Sequence, residues 1–317
     1  MKVIEILLKE ILEDFFFCFT SPSEHTNLKR SIQESGILTP IQVIPMEGKY
    51  RLISGFRRFH VARELDLSHV PVMVKPESLS IEKAFRFVLL EKVICRMFNL
   101  IEKARVLHIL EGLQVPFELM EKDFLPILEI PAQFKTIDEI KCILKYSISV
   151  QHYVEMYNLS LKQTRMFNPL TIHQQELLVD MAMKLQVRSV ELSEIISMLI
   201  DISGRENLTV EVVLNQLEIG RIMDNRDDSK HEKLFKIKER LMDRRYPKLA
   251  SWNRSLVHLS KAILLPEQVK LKWDRSLEKP GVELRVKIRT ADDLKCIDKI
   301  LSNKENLDRF EEMFKIV

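Results

Sequence analysis

Residues 50–62, YRLISGFRRFHVA, decide the fold of the first part of this chain. From residue 50 to residue 54 the side chains alternate with a period of two, which favours a strand over a helix. Gly55 follows at a point where the backbone turns sharply or comes close to a ligand. The stretch therefore predicts a short strand, a glycine turn and the start of a helix.

Two arginines, Arg57 and Arg58, fall in the first turn of that predicted helix. Cations at a helix N-terminus oppose the helix dipole, so the local rules disfavour them there. An anion held between the helix N-terminus and the two guanidinium groups would remove the conflict. The alternative is a pair of solvated surface arginines, and the local pattern leaves both interpretations open.

The neighbouring segments extend the pattern on both sides. Residues 28–45, LKRSIQESGILTPIQVIP, predict a helix that ends at Gly36 and then a strand, while residues 67–74, LSHVPVMV, predict another strand. Residues 89–104 read LLEKVICRMFNLIEKA. Over residues 28–104 this order resembles the N-terminal domain of the ParB family of partition proteins. The family pattern is S-I-x-x-x-G-x-x-x-P-I-x-V, Y-x-x-x-x-G-x-R-R, I-P-V-x-V and E-N-x-x-R.

The resemblance implies a nucleotide site and names its residues. In the family, the G-x-R-R turn binds the triphosphate of CTP, and the E-N-x-x-R segment helps to hold Mg2+ and couples hydrolysis to closure of a clamp on DNA. Glu91 matches the family's glutamate and is the candidate for both metal binding and catalysis. The nucleotide-binding candidates, carried over by position, are Gly36, Thr39, Pro40, Gly55, Arg57, Arg58 and Arg96.

The sequence departs from the family pattern at the metal-associated segment. Lys92 replaces the family asparagine, and an ammonium group cannot ligate Mg2+ although it can neutralise a phosphate. The family arginine falls on Cys95, and Arg96 lies one residue later, which is a rotation of roughly 100° on a helix. The acidic residue common before the two arginines is Phe56 here. CTP and Mg2+ are thus the implied cofactors, and weak CTP hydrolysis stays an open question.

The length and composition of the chain limit the classes of protein to which it can belong. The chain has 317 residues, enough for two or three domains, and 46% of them are hydrophobic and 30% charged, which suits a packed soluble core. Its N-terminus carries charges throughout, so we expect neither a signal peptide nor a membrane span. Its four cysteines are scattered, which excludes clustered zinc spacing and indicates a reducing cytoplasm. Seven glycines argue against a glycine-rich nucleotide cradle.

Periodicity and the resemblance together predict three domains. Residues 1–105 form an α+β, ParB/sulfiredoxin-like nucleotide-binding domain with strands near 41–44, 50–54 and 70–74. Residues 106–220 form an all-α domain with a helix-turn-helix, and residues 221–240 form a charged linker or a solvated helix. Residues 241–317 form a small α+β dimerisation domain with strands at 269–273 and 282–288 and a helix at 292–301. A two-stranded hairpin is marginal alone, so we expect pairing with a second copy.

Two helix-turn-helix registers are open in the helical domain. The first uses 118–128 as the scaffold helix and 135–144 as the recognition helix, with Lys135 and Lys141 on its polar face. The second uses helix 150–157, a left-handed turn at Asn158 and a helix from Ser160, whose side chain is a good N-cap. Its outward side chains would contact phosphates or bases, and they are Ser160, Lys162, Gln163 and Arg165.

A basic segment follows the helical domain. Residues 230–254 hold nine Lys or Arg against three acids, a net charge of +6 in a chain whose total is +3. A stripe of this kind can follow a phosphate backbone. A helix face that is only solvated explains the same pattern.

These features predict a ParB-like DNA-binding protein of chromosome or plasmid partition, with a CTP-binding switch that gates a dimeric DNA clamp. The partners implied are double-stranded DNA, a second copy of the chain and a ParA-type ATPase, with no membrane and a cytoplasmic, nucleoid-associated location. Two alternatives stay open. One is a nucleotide-dependent phosphotransferase or kinase that uses Glu91 as its base, and the other is a DNA or protein adaptor without nucleotide turnover.

Overall fold

The structure is a computed structural model that describes residues 3–13, 17–19, 26–263, 265, 269–288 and 302–317. The chain divides into two compact units, Met1–Asp180 and Met181–Val317. The first unit is a five-stranded sheet with helices followed by a helical region. The second is helical and ends in a two-stranded sheet and a further helix.

The five strands of the first unit lie in the order β1-β5-β3-β4-β2. Strands β3 and β4 form an antiparallel hairpin, and its turn places Glu47 and Gly48 at positive φ, as a two-residue hairpin turn requires. Strands β3 and β5 are parallel, while β1 runs antiparallel to β5 and β2 parallel to β4. The strands are β1 (Val3–Leu7), β2 (Ile11–Leu12), β3 (Ile41–Met46), β4 (Lys49–Ser54) and β5 (His69–Val74).

The predicted strands near 41–44, 50–54 and 70–74 are confirmed, because they are β3, β4 and β5. Their inward side chains, such as Ile41, Leu52 and Val72, are completely buried. Four helices accompany the sheet, namely α1 (Thr26–Ser35), α2 (Phe56–Glu64), α3 (Ile81–Cys95) and α4 (Leu100–Gly112). Helix α2 supplies the crossover connection that the parallel pairing of β3 and β5 requires.

The helical region of the first unit consists of short helices. The predicted helix over 118–128 is two helices, because Phe124 has φ −116° and interrupts the regular backbone. The turn predicted at Asn158 is confirmed by its φ of 47°, and so is the N-cap at Ser160. The helices are α5 (Phe117–Asp123), α6 (Leu125–Leu128), α7 (Phe134–Cys142), α8 (Ile148–Met156) and α9 (Leu161–Thr164); α10 (Ile172–Leu185) spans the division between the units.

The second unit contains five further helices before its small sheet: α11 (Ser189–Glu206), α12 (Val210–Gln216), α13 (Ile219–Asp224), α14 (Lys230–Arg245) and α15 (Pro247–Ala262). Strands β6 (Val269–Trp273) and β7 (Val282–Val286) form the predicted antiparallel hairpin, and α16 (Lys304–Phe314) follows. Leu256 of α15 and Met313 of α16 are completely buried in the core of this hairpin region. The helix predicted over 292–301 lies outside the described residues.

The division into two units differs from the three predicted domains, whose boundaries stay a prediction. Most of residues 221–240, read as a charged linker or a solvated helix, belong to helices α13 and α14. The basic segment is also more than a solvated face. Lys238 contacts Glu194 at 2.6 Å, and Arg244 contacts Glu206 at 2.6 Å, so many of its cations pair with acids of the same unit. No helix of the described residues is long and apolar enough to cross a bilayer.

Candidate functional site

The glycine turn predicted at residue 55 has the backbone of an anion cradle. Gly55 has φ 97°, a conformation that L side chains rarely adopt, and it is the N-cap of α2. A Cβ there would lie 3.2 Å from Arg58 Nη2 and 3.4 Å from Ile41 Cα. The Phe59 N–H donates to the Gly55 carbonyl at 3.0 Å, so Gly55 begins the helix and the first N–H groups of α2 lie at the turn. Such donors favour an anion.

The two arginines of this turn occupy different environments. Arg58 is half-buried, and its Nη1 donates to the carbonyl of Thr39 and, at 2.9 Å, to the carbonyl of Pro40. Burial lowers the pKa of Arg58, an effect that the Glu91 carboxylate opposes. Arg57 is exposed at the start of α2. Arg58 therefore ties the loop after α1 to the glycine turn, while Arg57 has the more accessible guanidinium.

Two of the three loop candidates are brought to the turn by this contact. Gly36 ends α1 with φ 69°, and its N–H donates to the Ile32 carbonyl at 2.9 Å. Thr39 and Pro40 follow immediately before β3 and provide the two carbonyls that Arg58 holds. The structure thus gathers Gly36, Thr39, Pro40, Gly55, Arg57 and Arg58 in the loops at one end of β3 and β4. Their role in nucleotide binding stays a prediction.

Glu91 is fixed by two side chains of the sheet. Gln42 Nε2 donates to Glu91 Oε1 at 2.6 Å, and Ser54 Oγ donates to Glu91 Oε2 at 3.1 Å. Gln42 and Ser54 are both buried, in β3 and β4 respectively. The oxygen of the Gln42 amide, Oε1, is also buried, and it has no hydrogen-bond partner within the described residues. Glu91 therefore connects helix α3 to the two central strands.

A magnesium ion at this position would find the carboxylate of Glu91 as a ligand. Mg2+ requires near-octahedral oxygen ligands, usually one or two carboxylates with waters and phosphates. Glu91 supplies one carboxylate, both of whose oxygens already accept hydrogen bonds, and its charge acts on the cations Arg58 and Lys75. In the described part of the chain, no group of three His, Cys, Asp or Glu side chains could hold a metal ion.

Lys92, which replaces the family asparagine, lies half-buried on the same helix. Its Nζ is 5.5 Å from the centroid of the Phe19 ring. Burial lowers the pKa of Lys92, and the nearby Glu102 carboxylate opposes that shift. The lysine therefore places positive charge near the position where the family resemblance implies a metal ligand.

Arg96 is engaged by a buried carboxylate rather than by the glycine turn. Its Nη1 donates to Glu102 Oε2 at 2.7 Å, and its Nη2 donates to Glu102 Oε1. These hydrogen bonds raise the pKa of Arg96. Glu102 also accepts the Asn99 N–H at 3.1 Å and completes the capping box of α4. The arginine predicted to bind nucleotide thus pairs with the N-terminus of α4, and a nucleotide contact would have to share it.

Three side chains of the site were not singled out from the sequence: Gln42, Ser54 and Lys75. Gln42 carried a signal, because it is a polar residue within the apolar stretch IQVIP and buried polar groups need partners. Ser54 and Lys75 carried none, since Ser54 ends one ordinary strand and Lys75 follows another. The contacts that matter join residues 37 and 49 positions apart, which local patterns do not reveal.

The DNA-contact candidates of the helical region divide into paired and exposed side chains. Lys141 contacts Glu111 at 3.0 Å and Asp138 at 3.2 Å, and these partners raise its pKa. Arg165 contacts Glu139 of α7 at 2.7 Å. Lys135 and Lys162 are exposed, and no ion pair of either is found in the described ranges.

Ser160 and Gln163 cap each other at the start of α9. The Gln163 side chain accepts the Ser160 N–H at 2.9 Å, and the Gln163 N–H donates to Ser160 Oγ at 3.4 Å. Both residues are exposed, and the Ser160 hydroxyl also donates to Gln163 Oε1 at 2.8 Å. Their contact with DNA stays a prediction, as does the choice between the two helix-turn-helix registers.

The sequence was compared with known proteins. Residues 19–93 match the family model described as the ParB N-terminal domain. A probable chromosome-partitioning protein ParB of Coxiella burnetii is 35% identical over 81 residues, which are 26% of this chain and 27% of that protein. The corresponding protein of Vibrio cholerae is 26% identical over 199 residues, 62% of this chain and 66% of that protein. The alignments thus cover between about a quarter and two thirds of these relatives.

Solved structures of ParB from Caulobacter crescentus, truncated at the C-terminus, are also similar. One, complexed with CTP-γ-S, has 21% identity and a TM-score of 0.28 over 57% of this chain and 98% of that one. Another, complexed with the centromeric parS site, has 18% identity and a TM-score of 0.33. It covers 60% of this chain and 97% of that one. The sequence matches, centred on the domain that contains the glycine turn, show that residues 19–93 are a ParB N-terminal domain.

Proposed function

We propose that this chain is a DNA-binding partition protein whose N-terminal domain binds CTP at the glycine turn. The observation that carries the proposal is the turn itself, because a left-handed Gly55 begins α2 and brings the N-terminus of that helix together with the exposed Arg57. Backbone donors and a guanidinium group suit phosphate oxygens. The match of residues 19–93 to the ParB N-terminal domain supports the choice of CTP.

The loop that Arg58 contacts forms a second side of the proposed nucleotide site, beside the glycine turn. Thr39 and Pro40 lie in the position that the family resemblance gives to the nucleobase side, and Arg58 fixes their carbonyls relative to the glycine turn. A bound nucleotide would then contact the loop and the helix start together. Nucleotide binding would order both and act as a switch, since a ligand stabilises the arrangement that it contacts in both places.

DNA contact is assigned to the helical region of the first unit. Lys135 and Lys162 are exposed at the beginning of α7 and α9, where a cation can approach phosphates. The partner would be double-stranded DNA on a chromosome or plasmid, and a nucleoid-associated location follows from that. A ParA-type ATPase is the further partner that the family implies.

A second copy of the chain completes the proposed clamp. In the described residues of the second unit, the sheet consists of two strands, and an isolated hairpin is marginally stable. Pairing across that hairpin with a second copy would bury more of its apolar side chains. The dimer would let two N-terminal domains close around one duplex.

The site favours binding over phosphoryl transfer by Glu91. A general base must reach the proton that it removes, and two hydrogen bonds orient the Glu91 carboxylate towards Gln42 and Ser54 of the sheet. We therefore expect slow hydrolysis of CTP. An adaptor that binds DNA without nucleotide remains the competing outcome of the experiment below.

The test compares two exposed arginines by equilibrium binding of fluorescent CTP. Arg57→Ala removes the accessible guanidinium of the turn, and Arg30→Ala on α1 is the matched control. A charge-assisted hydrogen bond to a phosphate contributes roughly 1.5–3 kcal/mol, so Arg57→Ala should weaken binding by at least tenfold. Arg30→Ala should change it less than about twofold. Equal affinities of Arg57→Ala and the unmodified protein would place the nucleotide elsewhere.

A further inference from the structure

Helix α14 of the second unit has two apolar faces. The buried face, which packs against α11, consists of Leu234, Ile237 and Leu241. Three further apolar side chains lie on a different side of the helix, with 61% of Phe235, 43% of Met242 and 42% of Tyr246 exposed. Their spacing of seven and four residues aligns them in one stripe, because a helix turns by about 100° per residue. A surface helix needs only one apolar stripe to join its core, so the exposed stripe has another use.

The exposed stripe forms one wall of a groove of about 660 Å3 within the second unit. Helix α15 forms the other wall with Leu249, Ala250 and Asn253. Asn253 is fixed, since its Nδ2 donates to the Arg275 carbonyl at 2.9 Å and its Oδ1 accepts the Trp273 Nε1–H at 2.9 Å. The groove is therefore formed in the free chain, and a partner that binds there does not have to order its walls.

Three carboxylates line this groove. Glu239 and Asp243 lie one turn apart on α14, and Glu191 lies in the first turn of α11. Within the described residues, no ion pair of Glu239 or Glu191 is found, and Asp243 is 4.0 Å from Arg254. The carboxylates are therefore available to a cation of a partner.

The basic side chains of the groove are fewer or already engaged. Lys238 contacts Glu194 at 2.6 Å, and the Arg275 guanidinium lies 4.9 Å from the centroid of the Trp273 ring. His231 is the remaining basic residue of the lining. This balance of charge repels phosphate groups and attracts lysine and arginine side chains.

We propose that the groove between α14 and α15 is a docking site for a basic amphipathic helix of a partner protein. Phe, Tyr and Met are enriched where proteins meet, and an apolar groove of this kind accepts the apolar face of a helix. The stripe from Phe235 to Tyr246 extends over about 16 Å, the length of three helical turns. The apolar side chains of the partner fill the groove, and its lysines or arginines contact Glu239, Asp243 and Glu191. Neither a nucleotide nor DNA enters this inference.

The first measurement uses two synthetic peptides and the full chain. Both peptides have about five helical turns with leucine along one face, and the other positions are lysine in one peptide and glutamate in the other. Fluorescence anisotropy should give the lysine peptide a Kd of about 10 μM or tighter and the glutamate peptide a Kd at least tenfold weaker. The net charge of the chain is +3, so attraction by total charge alone would favour the glutamate peptide. Equal affinities, or no binding of the lysine peptide up to about 1 mM, would overturn the inference.

A matched pair of variants locates the binding. Phe235→Ala removes the most exposed side chain of the stripe, and Phe314→Ala removes a phenylalanine of α16 that is 54% exposed and lies outside the groove. Phe235→Ala should weaken binding of the lysine peptide at least tenfold, whereas Phe314→Ala should change it less than about twofold. Equal affinities of the two variants would contradict the assignment to the groove. If Phe235→Ala does not fold, Met242→Ala replaces it, and the comparison of the two peptides on the unmodified protein still decides.

The charge of the rim has a test of its own. Glu239→Gln should weaken binding of the lysine peptide by about threefold at low salt, and the difference should vanish at high salt because salt screens exposed charges. A Glu239→Gln protein that binds as well as the unmodified protein at low salt would remove the argument for a basic partner.

A second copy of the chain is the competing occupant of the groove. Sedimentation equilibrium of the unmodified protein and Phe235→Ala distinguishes it from a different partner. The proposal predicts the same mass for both proteins at every concentration. A lower mass for Phe235→Ala would show that the groove joins two copies of this chain and would overturn the proposal.

Discussion

Gln42 donates a 2.6 Å hydrogen bond from Nε2 to Glu91 Oε1 and so joins the central strand β3 to helix α3. Together with the bond from Ser54 Oγ at 3.1 Å, this contact makes the Glu91 carboxylate part of the framework that surrounds the glycine turn. The family glutamate thus has a structural role in this chain before any ligand arrives.

Gly55→Ala should destabilise the protein by about 1–3 kcal/mol, since alanine would have to adopt φ 97° and its Cβ would lie 3.2 Å from Arg58 Nη2. Gly112→Ala is the control, because Gly112 is in α4 and a Cβ there meets nothing within 4 Å. That variant should be neutral or up to about 1 kcal/mol more stable. Urea unfolding followed by circular dichroism measures both. Equal stabilities of the two variants would show that the turn tolerates a side chain.

Glu102→Gln should destabilise the N-terminal unit by about 1–3 kcal/mol, because the buried carboxylate accepts from both Arg96 and the Asn99 N–H. The control is Glu34→Gln, whose partner Arg30 lies on the exposed surface of α1. An exposed i,i+4 pair contributes only about 0.3–0.5 kcal/mol. Thermal unfolding of the two variants side by side is the measurement. A Glu102→Gln protein as stable as Glu34→Gln would mean that Arg96 is available for other contacts.

Glu206 gives the second unit a pH dependence of defined sign. Hydrogen bonds from Arg244 and Arg205 lower the pKa of its carboxyl below the unfolded value of about 4.3. A lowered folded-state pKa contributes stability above the unfolded pKa, and that contribution is lost as the pH falls through the folded value. The contribution should be about 0.5–1 kcal/mol, as for a partly exposed pair.

The two tryptophans of the chain, Trp252 and Trp273, both lie in the second unit and report on its unfolding by fluorescence. Glu206→Gln should unfold more readily than the unmodified protein at pH 7, and the difference should shrink towards pH 3. A difference that is constant between these pH values would contradict the assignment to Glu206.

Lys135→Ala and Lys162→Ala should each weaken DNA binding and reduce its salt slope by about one unit, because each would remove one phosphate contact. Lys141→Ala and Arg165→Ala should have smaller effects on the slope, since these side chains already contact Glu111 and Glu139. Lys83→Ala, an exposed lysine of α3, is the control. Fluorescence anisotropy on a duplex at several salt concentrations distinguishes them. Unchanged slopes for Lys135→Ala and Lys162→Ala would place the DNA interface elsewhere.

The sequence predicted the local elements well where a single pattern controls them. The alternation of side chains predicted strands β3 and β4, and the glycine predicted the turn at residue 55. Asn158 and Ser160 predicted the turn and the N-cap before α9. Each of these is decided by residues within a few positions of one another. The break at Phe124 was missed, because apolar spacing alone continues through it.

The candidate site was predictable only in its glycine turn. The partners of Glu91 lie on strands that are distant in sequence, and the pairing of Arg96 with Glu102 uses an arginine that the family pattern would place elsewhere. For the basic segment of α14, the sequence likewise left a phosphate-binding stripe and a solvated face both open, and only the structure shows its acidic partners on α11. The charges of one segment do not reveal which oppositely charged side chains of other segments the fold places beside them.

The central claim is that the glycine turn binds CTP, and calorimetric titration of CTP into the purified chain tests it most directly, with ATP and GTP as controls. We predict that each chain binds one CTP, and that ATP and GTP bind at least tenfold more weakly. Binding of all three nucleotides with equal affinity, or of none, would contradict it.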